Sequence, residues 1–162
     1  MCYTNPEVPH VDQTLLLPES NLTSLQDWAV SGSGLTAAAR VHDSDGRIAL
    51  VKNSWTDGWF LPGGAVEAHE TPSEAARREI HEETGLNAVV DRPLVVLDQT
   101  YISENTGEEW FSAAFIVYSA SADGEIPEVS QLGVAGEEIL AAQWFDTVPE
   151  QLHDGEVLRS YL

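Results

Sequence analysis

A chain of 162 residues with 43% hydrophobic content and five tryptophans has the makings of one cored domain, unlike a disordered polymer. Seven basic against 27 acidic residues give a formal charge of −20, a surface that repels nucleic-acid phosphates and anionic membranes alike. Cys2 is the single cysteine, which excludes an intrachain disulfide, a cysteine zinc cluster and a cysteine–histidine nucleophile.

Residues 1–33 read as an N-terminal extension of unassigned role, closed by the flexible joint Ser31-Gly32-Ser33-Gly34. The apolar run Leu15–Leu17 stops at Pro18 and has no basic flank, so it is too short for a signal peptide or a membrane span. Without a secretion signal, the sequon Asn21-Leu22-Thr23 has no glycosylating context. The expectation is a soluble cytoplasmic monomer or homodimer.

The body of the chain is then 34–162. Leu35–His42 and Arg47–Lys52 are β-rich and flank Asp43-Ser44-Asp45-Gly46, a hairpin signal. A calcium loop on those aspartates would need Val41 and Lys52 as ligands, which excludes it. Trp59-Phe60-Leu61 leads into Pro62-Gly63-Gly64, a sharp turn with two permissive residues. The spacing predicts a helix over 72–84, with Thr71 and Glu74 as a capping box, Pro72 at its first position and Gly85 beyond its end. Asn87–Asp91, Leu94–Ile102 and Trp110–Ser119 read as strands, with an acidic loop at 103–109. Gly133–Gly136 reads as a loop, Ala141–Phe145 as a short strand and 148–162 as a terminal helix. Strands on both sides of a central helix imply one α/β domain with a mixed sheet.

Chemistry concentrates in the central helix. Glu79, Glu82 and Glu83 stand at offsets of three and four, on one face within one turn. Three carboxylates so close repel one another unless cations sit among them, and carboxylate oxygen is the ligand type of Mg²⁺ or Mn²⁺. In so acidic a chain a solvated glutamate face competes with that reading. Arg78, within helical reach of Glu74 and Glu82, favours an organised site, as does the nearby pair Gly63-Gly64, whose backbone could approach an ion or phosphate.

Residues 64–86 resemble the Nudix box, in which Gly64, Glu70, Arg78, Glu79, Ile80, Glu82, Glu83, Gly85 and Leu86 fill every specified position. Trp59-x-Leu61-Pro62-Gly63-Gly64 before the box is similar to the family's approach. Glu137-Glu138-Ile139 and Gln143-Trp144-Phe145 after it are similar to its downstream pattern. The resemblance spans roughly 34–146 and implies a Nudix fold, an α/β/α sandwich around a mixed sheet. It implies hydrolysis of a diphosphate linkage in a nucleoside diphosphate joined to another group, the substrate being a small-molecule nucleotide rather than a nucleic acid. Oxidised or ordinary nucleoside triphosphates and ADP-ribose-like sugars are rival substrates.

Carried over by position, Glu79, Glu82, Glu83 and the Gly63 carbonyl match metal ligands for Mg²⁺ or Mn²⁺. Arg78 and Glu70 match orienting positions, and Gly64 and Gly85 structural ones. The general base is sought among Glu104, Glu108, Glu109, Glu137 and Glu138, with Glu138 favoured by its flanks, so that Glu79, Glu82, Arg78 and Glu138 form the catalytic set. A Nudix-fold nucleotide-binding regulator without turnover is the alternative. Substrate-binding residues are not assigned: Trp55, Trp59, Tyr101, Trp110 and Phe111 read as core aromatics, and the histidines show no ligand spacing. The acidic excess resembles that of proteins from salt-loving organisms, where concentrated salt screens such charge.

Overall fold

The computed structural model describes residues 7–53, 58–128 and 139–162. Strands β1 (His10–Leu17), β2 (Leu35–His42), β3 (Ile48–Asn53), β4 (Gly63–Ala65), β5 (Val89–Ser103), β6 (Glu109–Ser121) and β7 (Ile139–Phe145) belong to one sheet. Its order is β1-β5-β6-β2-β3-β7, with β4 on β2. The pairs β1/β5 and β2/β6 are parallel, whereas β5/β6, β2/β3, β2/β4 and β3/β7 are antiparallel, so the sheet is mixed as the sequence implied.

Alternation along β2 divides the core. Ala37, Ala39 and Val41 face one side, where Ala75, Ala76 and Ile80 of α2 (Pro72–Thr84) cover them. Ala38 faces the other side with Leu50, Leu97 and Val117, closed by Leu152 and Leu158 from the C-terminal segment. Cover on both faces, by α2 on one and the C-terminal segment on the other, explains why no residue of β2 is exposed.

The helix α2 begins and ends where its caps predict. Thr71 Oγ1 accepts the Glu74 N–H at 3.2 Å, the Glu74 carboxylate accepts the Thr71 N–H at 2.9 Å, and Gly85 takes a left-handed φ of 77°.

Three findings depart from the sequence expectations. The sequence pattern marks no element before residue 35, yet β1 pairs residue for residue with β5, and α1 (Glu19–Gln26) follows it. Fully buried Leu22 of α1 joins Tyr101, Phe111 and Ala113 in a third apolar cluster. Next, the two strands expected around Pro93 are one strand, β5, whose register slips on either side of that proline because it has no N–H to give the ladder. Finally, the terminal helix expected over 148–162 shrinks to α3 (Gly155–Leu158) and one 3₁₀ turn, Arg159–Tyr161. The backbone before α3 is engaged elsewhere: Trp59 N–H donates to Gln151 O at 2.7 Å, and His153 N–H to Trp59 O at 2.8 Å. The Gly133–Gly136 loop lies outside the described residues. Among the described residues no helix is long and apolar enough to cross a membrane.

Candidate active site

Strands β3 and β4 both lie along the same edge of β2, β4 at its start and β3 at its end. A cleft of about 520 Å³ opens beside this branch, lined by Gly63, Gly64, Glu79 and Glu83 together with Phe60, Gln99, His153 and Asp154.

The glycines of β4 serve a purpose other than the turn expected of them. Neither takes a left-handed φ. A Cβ on Gly63 would lie 2.5 Å from the Ala37 carbonyl oxygen, and one on Gly64 would collide with the Glu79 carboxylate. At Gly63 only glycine fits against the β2 backbone, whereas a side chain at Gly64 would displace the Glu79 carboxylate from its place beside β4.

Arg78 organises that face. Its Nε and Nη2 donate to the Glu70 carboxylate at 3.1 and 2.7 Å, Nη1 donates to Glu79 at 2.9 Å and to Glu82 at 3.4 Å, and Nη2 also reaches the Ala65 carbonyl at 3.1 Å. The expected partner Glu74 is committed to the helix cap, so Glu70, eight residues back, takes its place. The Glu83 carboxylate turns toward β4 and accepts the Gly63 N–H at 2.8 Å.

The charges are unequal in character. Burial pushes the Glu79 carboxyl above its usual value against the pull of Arg78, and its side chain is 15% exposed. Hydrogen bonding to Arg78 holds Glu70 below its usual value, and the same bonds, Glu70's first, raise Arg78 further above its own. Among the described residues, no three acidic, histidine or cysteine side chains already converge as a metal cage. The guanidinium of Arg78 and the Gly63 N–H draw the glutamates in two directions. The donor set nonetheless fits a hard divalent cation: three carboxylates, one of them desolvated, share a helix face with a single arginine.

Other candidates divide clearly. Glu104, Glu108 and Glu109 are exposed at the β5–β6 turn and do not line the cleft. Glu137, Glu138 and Trp55 lie outside the described residues. Tyr101 is buried and stacks on Phe111 with centroids 4.9 Å apart, a core aromatic whose edge also borders the cleft.

No local signal marks Phe60, Gln99, His153 and Asp154 as cleft residues, or Gln13 as bonded to two of them, because they come from segments far apart in the chain. Gln13 Nε2 donates to Asp154 Oδ1 at 3.0 Å across 141 positions, and Gln99 Nε2 donates to Gln13 Oε1 at 2.9 Å across 86.

A family model described as "NUDIX domain" matches residues 32–156. A solved MutT NUDIX hydrolase from Burkholderia pseudomallei is 30% identical, covering 79% of this chain and 96% of that one, with a TM-score of 0.59. An RNA pyrophosphohydrolase from Halorhodospira halophila is 48% identical over 46 residues, 28% of this chain and 25% of the relative. An 8-oxo-(d)GTP phosphatase from Mycolicibacterium smegmatis is 40% identical over 74 residues, 45% of this chain and 22% of the relative. The chain thus spans about a quarter of the length of these two curated relatives.

Proposed function

Because this chain belongs to the NUDIX family, we propose that it hydrolyses a diphosphate linkage in a nucleoside diphosphate joined to another group, using Mg²⁺ or Mn²⁺. The observation that carries this reading is the clustering of Glu79, Glu82 and Glu83 around Arg78 and β4, two of them, Glu79 and Glu83, lining a cleft of nucleotide size. The names of the two curated relatives, an RNA pyrophosphohydrolase and an 8-oxo-(d)GTP phosphatase, support the substrate class.

In this reading Glu79, Glu82 and Glu83, with the Gly63 carbonyl, hold the cation. A divalent ion bound there supplies positive charge to the phosphate oxygens and acidifies water. Arg78 fixes the carboxylates of Glu79 and Glu82 through the bonds above, and Glu70 fixes Arg78. A carboxylate removes the attacking water's proton, a role assigned to Glu138 from the sequence pattern. The remainder of the cleft accepts the group carried on the diphosphate.

Phosphate or pyrophosphate release over a panel of nucleoside triphosphates, oxidised nucleotides and ADP-ribose, with Mg²⁺ or Mn²⁺ at high salt, tests the reading. Turnover that stops in EDTA is the expected result. Turnover undiminished by EDTA removes the metal role, and tight nucleotide binding without turnover replaces the enzyme by a binding regulator.

A further inference from the structure

The C-terminal segment is fastened to the rest of the molecule at its two ends. At its start, Gln151 and His153 exchange backbone hydrogen bonds with Trp59, and Gln13 Nε2 donates to Asp154 Oδ1 at 3.0 Å. From Gly155 on, the backbone N–H bonds of α3 and the 3₁₀ turn run within the segment, and Arg159 turns back to the carbonyls of Pro149 and Glu150. The sheet is reached again at Tyr161, whose carbonyl oxygen accepts Arg40 Nη1 at 2.9 Å. Between the two fastenings lies Leu158, which lines the cleft as His153 and Asp154 do.

Arg40 is poorly matched to that place on packing grounds alone. It stands on β2 two positions after Ala38, itself a cleft residue, so its side chain leaves the sheet on the same face. Its register partner Ser119 on β6 accepts Nη2 at 3.2 Å, and this bond aims Nη1 at Tyr161. The chain has 27 acidic residues, yet among the described residues no carboxylate lies within ion-pair distance of this guanidinium. Its Nε is buried with no hydrogen-bond partner among them. An unpaired cation with an unsatisfied buried donor costs stability, and an apolar side chain of similar length costs less.

We propose that Arg40 is a positioning residue: by holding Tyr161 it seats the C-terminal segment as a wall of the cleft, and so sets the cleft's affinity for its ligand. Without that bond the far end of the segment exchanges between seated and unseated states. A ligand that needs the wall then binds more weakly in proportion to the seated fraction, and bound ligand restores the seat. The acidic face of α2 is spared, because Arg78 bonds to Glu70, Glu79, Glu82 and Ala65 and not to this segment. Loss of Arg40 therefore acts on KM and leaves kcat. The proposal rests on the nucleotide-hydrolase reading given above.

The test uses the full chain and its Arg40→Met, Arg40→Lys and Ser119→Ala variants. It measures kcat and KM for ATP, GTP and ADP-ribose with Mg²⁺, and calorimetric Kd for methylene-bridged ATP and GTP analogues. Amide hydrogen exchange over 155–162 and Tm complete it. Arg40→Met keeps the aliphatic stem and is expected to melt no lower than the parent. It is expected to raise KM and Kd by about fivefold or more while kcat stays within about twofold. Exchange over 155–162 is expected to quicken, and saturating analogue to slow it again. Arg40→Lys, which keeps a donor on the stem, is expected to recover part of the affinity, and Ser119→Ala to weaken it by about twofold. KM and Kd unmoved in Arg40→Met overturn the proposal and leave the hydrolase reading intact. A lowered Tm with unchanged KM, or a fall in kcat larger than the rise in KM, makes Arg40 a packing residue and overturns its positioning role. Should Arg40→Met fail to fold, unchanged KM and Kd in both Arg40→Lys and Ser119→Ala overturn the proposal. Weaker analogue binding in Arg40→Met, with no turnover of any nucleotide by the parent, upholds the proposal and removes the hydrolase reading. A parent that neither binds an analogue nor turns over a nucleotide overturns both.

Discussion

At the scale of single residues, the acidic face of α2 separates groups that hold a charge from groups that use it. Replacing Glu82 by Gln keeps the shape and removes one anionic ligand, so kcat/KM is expected to fall by about a hundredfold or more. A loss below tenfold, measured by steady-state phosphate release, would remove Glu82 from the metal set. Glu70 answers to a different assay. Its carboxyl is held low chiefly by the Arg78 side chain, so folding favours the ionised form. That contribution is full above the ordinary glutamate pKa and is lost as pH falls through the lower folded value. Glu70→Gln is therefore expected to destabilise the chain by about 1–2 kcal/mol at neutral pH and to match the parent once the parent's own Glu70 is protonated. Thermal melts from pH 7 down to pH 3 measure the convergence. The Glu79, Glu82, Glu83 grouping was legible from helical spacing alone. The resemblance placed Glu70 and Arg78 at orienting positions without pairing them, and the Gln13–Asp154 contact was not legible at all, since no local periodicity links positions 141 apart.

At the scale of elements, legibility followed local chemistry. The helix α2 carries its own start and stop signals, Thr71, Pro72, Glu74 and Gly85, and its ends were predictable to the residue. Thr71→Ala is expected to cost about 1 kcal/mol by denaturant melt, since the Glu74 N–H loses its side-chain acceptor. A variant as stable as the parent would mean that the packing of Ala75, Ala76 and Ile80 sets the helix start by itself. The misjudged elements obey longer-range demands. Residues 148–154 carry enough apolar positions for a helix, but their backbone pairs with Trp59, which no inspection of 148–162 reveals. The strand β1 is defined by a parallel partner beginning at Val96, so no turn signal beside it announces it.

At the scale of the whole molecule, a charge of −20 opposes compaction in dilute buffer. At molar salt the screening length falls to about 3 Å, so Tm and activity are expected to rise together from low to molar KCl. A Tm highest in dilute buffer would show that the acidic surface needs no screening. The first segment matters equally. Removing residues 1–33 strips β1 from β5 and uncovers Tyr101 and Phe111. The truncated chain is expected to aggregate or melt at least about 5 °C lower, as read by scanning calorimetry and light scattering. Solubility and stability equal to the parent would make β1 an accessory ribbon.

The parallel alignment of His10 with Val96 also orders events during synthesis. At ribosomal speeds of about 5–20 residues per second, β1 leaves the ribosome roughly 4–17 s ahead of the segment that receives it. Through that interval Leu15, Leu16 and Leu17 travel as an unclaimed hydrophobic stretch, followed by Pro18 and the Glu19 of α1. The chain's earliest strand is therefore a passenger awaiting its berth, and delayed elongation through residues 89–103 would lengthen its exposure to chaperones and proteases.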